Sequence, residues 1–119
     1  MFAEFVINMF NCVTTTHLLH LQSRSYSEHI ALGDFYESLE DLVDTLVEAY
    51  QGKYGLLTDY PEASVAVNSS ALPYLEQVSN YFMEERAKDY YPKDTELQNV
   101  SDEIQALVDK TIYKLRYLK

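Results

Sequence analysis

Residues 25–52 read SYSEHIALGDFYESLEDLVDTLVEAYQG, and the periodicity of this stretch decides the fold. Leu32, Phe35, Tyr36, Leu39, Leu42, Val43, Leu46 and Val47 recur at steps of three and four, which places them on one broad face of an α-helix. Ser25 and Glu28 have the spacing of a capping box, in which the two side chains satisfy free backbone N–H groups at a helix start. The spacing predicts a helix to about Tyr50, with Gly52 placed to terminate it.

Upstream, Phe5, Val6, Met9, Phe10, Val13, Leu18 and Leu21 predict a first helix from Phe2 to about Gln22, joined to the second by a very short link. Downstream, Lys53 to Ser69 holds Gly55, Pro61 and Asn68 and reads as a connector, with Ala63 to Val67 open to a helical turn or an extended crossover. A third helix is expected from near Ser70 to about Tyr91, carrying Leu72, Leu75, Val78, Phe82 and Met83 and stopped by Pro92. Thr95 to Gln98 offers another capping box. Leu97, Val100, Ile104, Leu107, Val108, Leu115 and Leu118 then describe a fourth helix. The expected fold is all-α: one domain over residues 1–119, an antiparallel four-helix bundle of two helical hairpins joined by a longer crossover, which is ferritin-like connectivity.

The formal charge of −10 disfavours nucleic acid and anionic membrane as partners and favours cations or basic proteins. The imbalance is concentrated in the first half, where Arg24 is the only Arg or Lys before Gly52. Cys12 is the only cysteine, so no internal disulfide can form, and a buried reduced thiol in a cytoplasmic setting is expected. No stretch reaches the roughly 18 apolar residues that a membrane helix needs, and the apolar opening reads as a core helix. There is no glycine-rich phosphate loop, CxxC pair or hydrolase triad pattern.

The three histidines, His17, His20 and His29, all fall around the first turn. If the first two helices fold back about Arg24 and Ser25, His20 lies level with His29, and His17 lies one turn further down the same helix. On the second helix Glu37, Asp41, Asp44 and Glu48 form one acidic stripe. Asp44 stands fifteen residues beyond His29, about 22 Å along a helix axis, so one chain cannot bring both to one metal. Two chains packed about a two-fold axis through the second helix can, giving two equivalent His and carboxylate sites suited to iron, manganese or zinc.

These residues resemble a known motif. His20-Leu21-Gln22, then His29, then Asp44-Thr45-Leu46-Val47-Glu48 is similar to the ferroxidase signature of Dps-type mini-ferritins, with the same spacings of fifteen and four. His17-Leu18-Leu19-His20 resembles the end of that family's first helix. The resemblance covers roughly Thr14 to Gly52, and the whole chain is similar to short ferritin-like proteins encoded by tailed phages. It implies a di-iron site between two subunits, with His17 or His20, His29, and the partner copy's carboxylates at the positions of Asp44 and Glu48, in a homodimer or larger homo-oligomer. Geometry favours His20 and the family's spacing of twelve to His29 favours His17, so both stay as candidates. The chain departs from the family in having Leu21 where it has Trp and Ala49 where it has Arg, and in lacking a basic DNA-binding tail. The competing expectation is a non-enzymatic bundle, a phage structural, cargo or host-interaction protein in the host cytoplasm or the virion. In that case the histidines are packed structural residues, the acidic stripe is a solvated helix face, and the eleven tyrosines serve packing and partner contacts.

Overall fold

The computed structural model describes residues 1–119 as four helices with no strand: α1 (Phe2–Gln22), α2 (Tyr26–Tyr54), α3 (Ala71–Arg86) and α4 (Thr95–Tyr117). At the start of α2 the Ser25 hydroxyl accepts the Glu28 backbone N–H at 3.3 Å, as its spacing predicts. The reciprocal half of the box is replaced: the Ser25 N–H donates to the Ser23 hydroxyl, and that hydroxyl donates to the Glu28 carboxylate.

Gly52 does not end α2. The helix runs one turn further because its last turn is held from outside: the Tyr54 hydroxyl lies 2.6 and 2.7 Å from the two Asp94 oxygens, and Lys53 pairs with Asp94 at 3.0 Å and Glu96 at 3.1 Å. Gly55 then stops it at φ 97°, a left-handed conformation that side chains other than glycine rarely adopt. The third helix ends earlier than its pattern predicts, at Arg86 rather than Tyr91. Residues 87–91 turn instead, which folds the Tyr91 ring back into the core against Phe2, Phe5 and Phe82, with its hydroxyl 2.6 Å from Ser101 Oγ. The Lys93 ammonium donates to the Arg86 carbonyl at the end of α3 and to the Lys88 carbonyl in the turn that follows, which also accepts the Tyr91 N–H. The Thr95 box does not form; Asp94 takes the N-cap position, without a side-chain cap bond, because its carboxylate is committed to Lys53 and Tyr54.

The core runs the length of the bundle through Val6, Met9, Leu32, Phe35, Leu39, Leu46, Leu75, Phe82, Leu97, Ile104 and Val108, all under 5 % exposed. Leu18, Leu21, Met83 and Leu118, which the spacing assigns to apolar faces, are 38, 66, 51 and 50 % exposed. The buried face of α1 instead passes through Cys12, Thr16 and Leu19, and Thr16 is accepted there because its hydroxyl donates to the Cys12 carbonyl at 2.7 Å.

α2 packs against both α1 and α4, α4 against α3, and α1 touches α3 only sparsely. Asp34 near the start of α2 meets Lys114 near the end of α4, whereas Lys53 at the end of α2 meets Asp94 at the start of α4. Glu76 pairs with Arg116, Arg86 with Gln98 and Asp102, and Asn8 with Tyr81. Residues 55–70 form the long connection between α2 and α3, mostly without regular structure, so Ala63 to Val67 is not a helical turn. No helix is long and apolar enough to cross a membrane.

Candidate metal centre

The short link between α1 and α2 fixes the level at which their side chains meet, and His20 and His29 do meet. Their rings stack with centroids 3.6 Å apart and planes 18° from parallel. His20 Nδ1 lies 2.6 Å from the His29 carbonyl oxygen and His29 Nδ1 lies 2.8 Å from the His20 carbonyl oxygen. A carbonyl only accepts, so both rings carry their proton on Nδ1. In the neutral rings Nε2 then holds the lone pair. The His20 carbonyl is one of the last of α1, which helical bonding leaves short of partners, so the clasp also caps that helix.

Gly33 makes the clasp sterically feasible. A Cβ at this position would stand 3.1 Å from His20 Cε1 and 3.3 Å from Nδ1, closer than carbon and nitrogen comfortably approach. The sequence signal for it is a glycine four residues after His29 inside a strongly helical pattern, which apolar periodicity does not register. Tyr36, one turn further along α2, has the spacing of a core residue and also faces the histidines. Its ring stacks on His17 at 4.1 Å and 14° and meets His20 edge-on at 5.4 Å.

The structure therefore brings the three histidines together near the α1–α2 link: Tyr36 touches His17 and His20, His29 stacks on His20, and His17 and His20 stand 6.0 Å apart. It does not bring Asp44 and Glu48 to them. Both carboxylates lie exposed further along α2, and neither they nor Glu37 and Asp41 form an ion pair within the chain. No group of three or more His, Cys, Asp or Glu side chains within the single chain is arranged to hold a metal ion. A metal binds imidazole in the ring plane, at about 2.0–2.1 Å from nitrogen. The near-parallel planes of His20 and His29 send their Nε2 lone pairs along separate lines, so a single ion cannot take both rings as stacked, whereas two ions, one per ring, can.

Other titratable groups with strong partners sit elsewhere. Burial favours protonated Glu85, but the Lys88 ammonium at 2.6 Å and the Tyr90 hydroxyl at 2.9 Å outweigh it, and the carboxyl is held below its ordinary range. Burial and the same carboxylate push the Tyr90 hydroxyl well up. Burial pushes the Cys12 thiol up to about 11, offset only in part by the facing Tyr74 hydroxyl.

Fold and side-chain arrangement together define a four-helix protein with a histidine clasp beside the α1–α2 link and an unpaired acidic stripe along α2. The chain belongs to the family of unknown function DUF5856, whose sequence profile matches residues 20–115. That span takes in His20, His29, Gly33, Asp44 and Glu48 and leaves out most of α1. No curated protein and no solved structure matches the chain.

Proposed function

We propose that the chain is an antiparallel, ferritin-like bundle that pairs through α2 as a homodimer or larger oligomer and binds iron between subunits, with ferroxidase-like turnover. The architectural part draws on the end-to-end pairings of α2 with α4, of α3 with α4 and of α1 with α3, together with a 55–70 connection long enough to return along the bundle. The observation that carries the site is the double use of Nδ1: with that nitrogen of His20 and of His29 committed to a backbone carbonyl, Nε2 is the atom left for a metal. The partner copy's carboxylates at positions 44 and 48 would complete each centre, and His17 would stand beside it. Imidazole with carboxylate suits iron, with manganese and zinc as the competing metals.

The acidic stripe adds a physical argument for cations at this interface. Setting the exposed Asp44 and Glu48 of each copy against the histidine end of the other removes two carboxylates from water, and divalent ions held there offset that cost. Pairing is accordingly expected to depend on metal. When bound, ferrous ions would supply the electrons that reduce oxygen or peroxide; the chain's part is to hold the two ions close and to fix the imidazole tautomers.

The test is an anaerobic titration with ferrous iron followed by admission of oxygen or peroxide, with sedimentation run alongside. The expected result is saturable binding near two irons per site, dimerisation that chelator reverses, and rapid ferric absorbance. His29→Ala and the pair Asp44→Ala and Glu48→Ala should each abolish it. Iron uptake no greater than that of the double carboxylate variant would sink the iron reading. It would favour a second one, which the stacked rings themselves support: a non-enzymatic bundle, a phage structural, cargo or host-interaction protein, in which the clasp serves only to close the hairpin.

A further inference from the structure

α1 and α3 pack against each other only sparsely, and the seam between them is a cleft of about 290 Å³ lined also by Ser64, Val65 and Ala66 of the 55–70 connection, which form its roof. That volume lies just below the roughly 300–1,000 Å³ range of drug-sized sites, which limits an occupant to a small molecule. Its chemistry differs from the rest of the surface: 24 % of the chain is charged, yet none of the eleven residues lining the cleft carries a charge. Asn11 on the α1 wall and Gln77 on the α3 wall each present a donor and an acceptor, and neither side chain hydrogen-bonds within the protein. By contrast the neighbouring Asn8 is committed, donating to the Tyr81 hydroxyl at 2.8 Å. Tyr74, Tyr81 and Val78 supply ring faces and an apolar surface.

We propose that this cleft between α1 and α3 binds a small, uncharged heterocycle of nucleobase or nicotinamide type, held by the Asn11 and Gln77 amides. A charged ligand is disfavoured on both signs. An anion meets the field of a −10 chain with no basic residue in the cleft, and a cation finds no carboxylate there to replace its water. Carboxamide side chains pair in two-point fashion with an edge that offers an adjacent donor and acceptor, which such heterocycles have and simple sugars lack in planar form. Entry is by way of the roof, because residues 58–69 make no backbone–backbone hydrogen bond that would hold it down. The site is on different helix faces from the histidine clasp, and the proposal stands whether or not iron binds.

The experiment is a titration of the full chain with adenosine, nicotinamide, AMP and glucose, following the side-chain NH₂ resonances of Asn11 and Gln77 by two-dimensional NMR. Expected are saturable shifts at both amides with adenosine or nicotinamide, at least a several-fold weaker response to AMP, and none to glucose. Asn11→Ala and Gln77→Ala should each weaken binding roughly 3- to 10-fold, the range for one lost hydrogen bond. Their melting temperatures should match the parent, since neither amide bonds within the protein. Absence of saturable shifts with both heterocycles, shifts indifferent to both substitutions, or glucose and AMP binding as tightly as adenosine would each overturn the proposal.

Discussion

Replacing Gly33 by alanine sets two opposing effects against each other, and their balance reports on the histidine clasp. Gly33 lies inside α2, where alanine is favoured over glycine by about 0.8–1.0 kcal/mol of helix propensity. The added Cβ, however, would stand 3.1 Å from His20 Cε1. The ring cannot retreat freely, because the His29 ring is stacked on it at 3.6 Å and its Nδ1 is tied to the His29 carbonyl at 2.6 Å. Relieving the overlap by turning the ring away from His29 gives up a hydrogen bond contributing about 1 kcal/mol and a ring contact contributing about 0.5–1.5 kcal/mol. The net expectation is a loss of about 1 kcal/mol, which for a chain of this length lowers the melting temperature by roughly 3–5 °C. In a His20→Ala background the obstruction is gone and the same substitution should stabilise by about 0.9 kcal/mol. The coupling between the two sites is then about 2 kcal/mol, well above what independent positions show. Thermal unfolding of the four proteins of this cycle, followed by far-UV circular dichroism, measures it. If Gly33→Ala raises the melting temperature equally in both backgrounds, His20 does not lie against Gly33 and the clasp is wrong.

Phe82, fully buried between Phe5 and Tyr91, should cost about 3–5 kcal/mol on truncation to alanine, read from denaturant unfolding. Glu85 is an acid whose folded-state titration lies below its ordinary range, so its stabilising contribution is present above that range and disappears as pH falls through the folded value. The gap in melting temperature between the parent and Glu85→Gln should therefore be widest near neutrality and close on acidification below the usual glutamate range; a gap constant with pH would contradict the assignment. With its thiol up at about 11, Cys12 is only about one part in a thousand thiolate at pH 8 and is buried besides, so disulfide reagents should label it at least about a hundredfold more slowly in the folded protein than after denaturation.

Much of the fold was legible because helix formation answers to local pattern. The three- and four-residue steps of Leu32, Phe35, Leu39, Val43 and Leu46 needed only a helix to bury them together, and Ser25 needed only Glu28's backbone three residues on to cap it. The meeting of His20 with His29 was legible for a similar reason, since a short link leaves two helices almost no freedom in relative level. Gly33 was not, because the reason for a glycine there lies on a different helix.

The amino-acid sequence by itself determined that the chain is helical, how many helices it makes, and which residues stand at each turn, because all three depend on neighbours within a few positions. The tertiary structure alone decided where α2 and α3 stop and which apolar residues of the predicted faces stay outside. Tyr54 and Lys53 extend α2 past Gly52 because Asp94 and Glu96, some forty residues away in the chain, receive them. Tyr91 breaks away from α3 because an aromatic core and the Ser101 hydroxyl receive it, while Leu18 and Leu21 stay exposed because no helix packs over them. These outcomes turn on the energy of contacts between segments, which residue spacing along one segment does not encode.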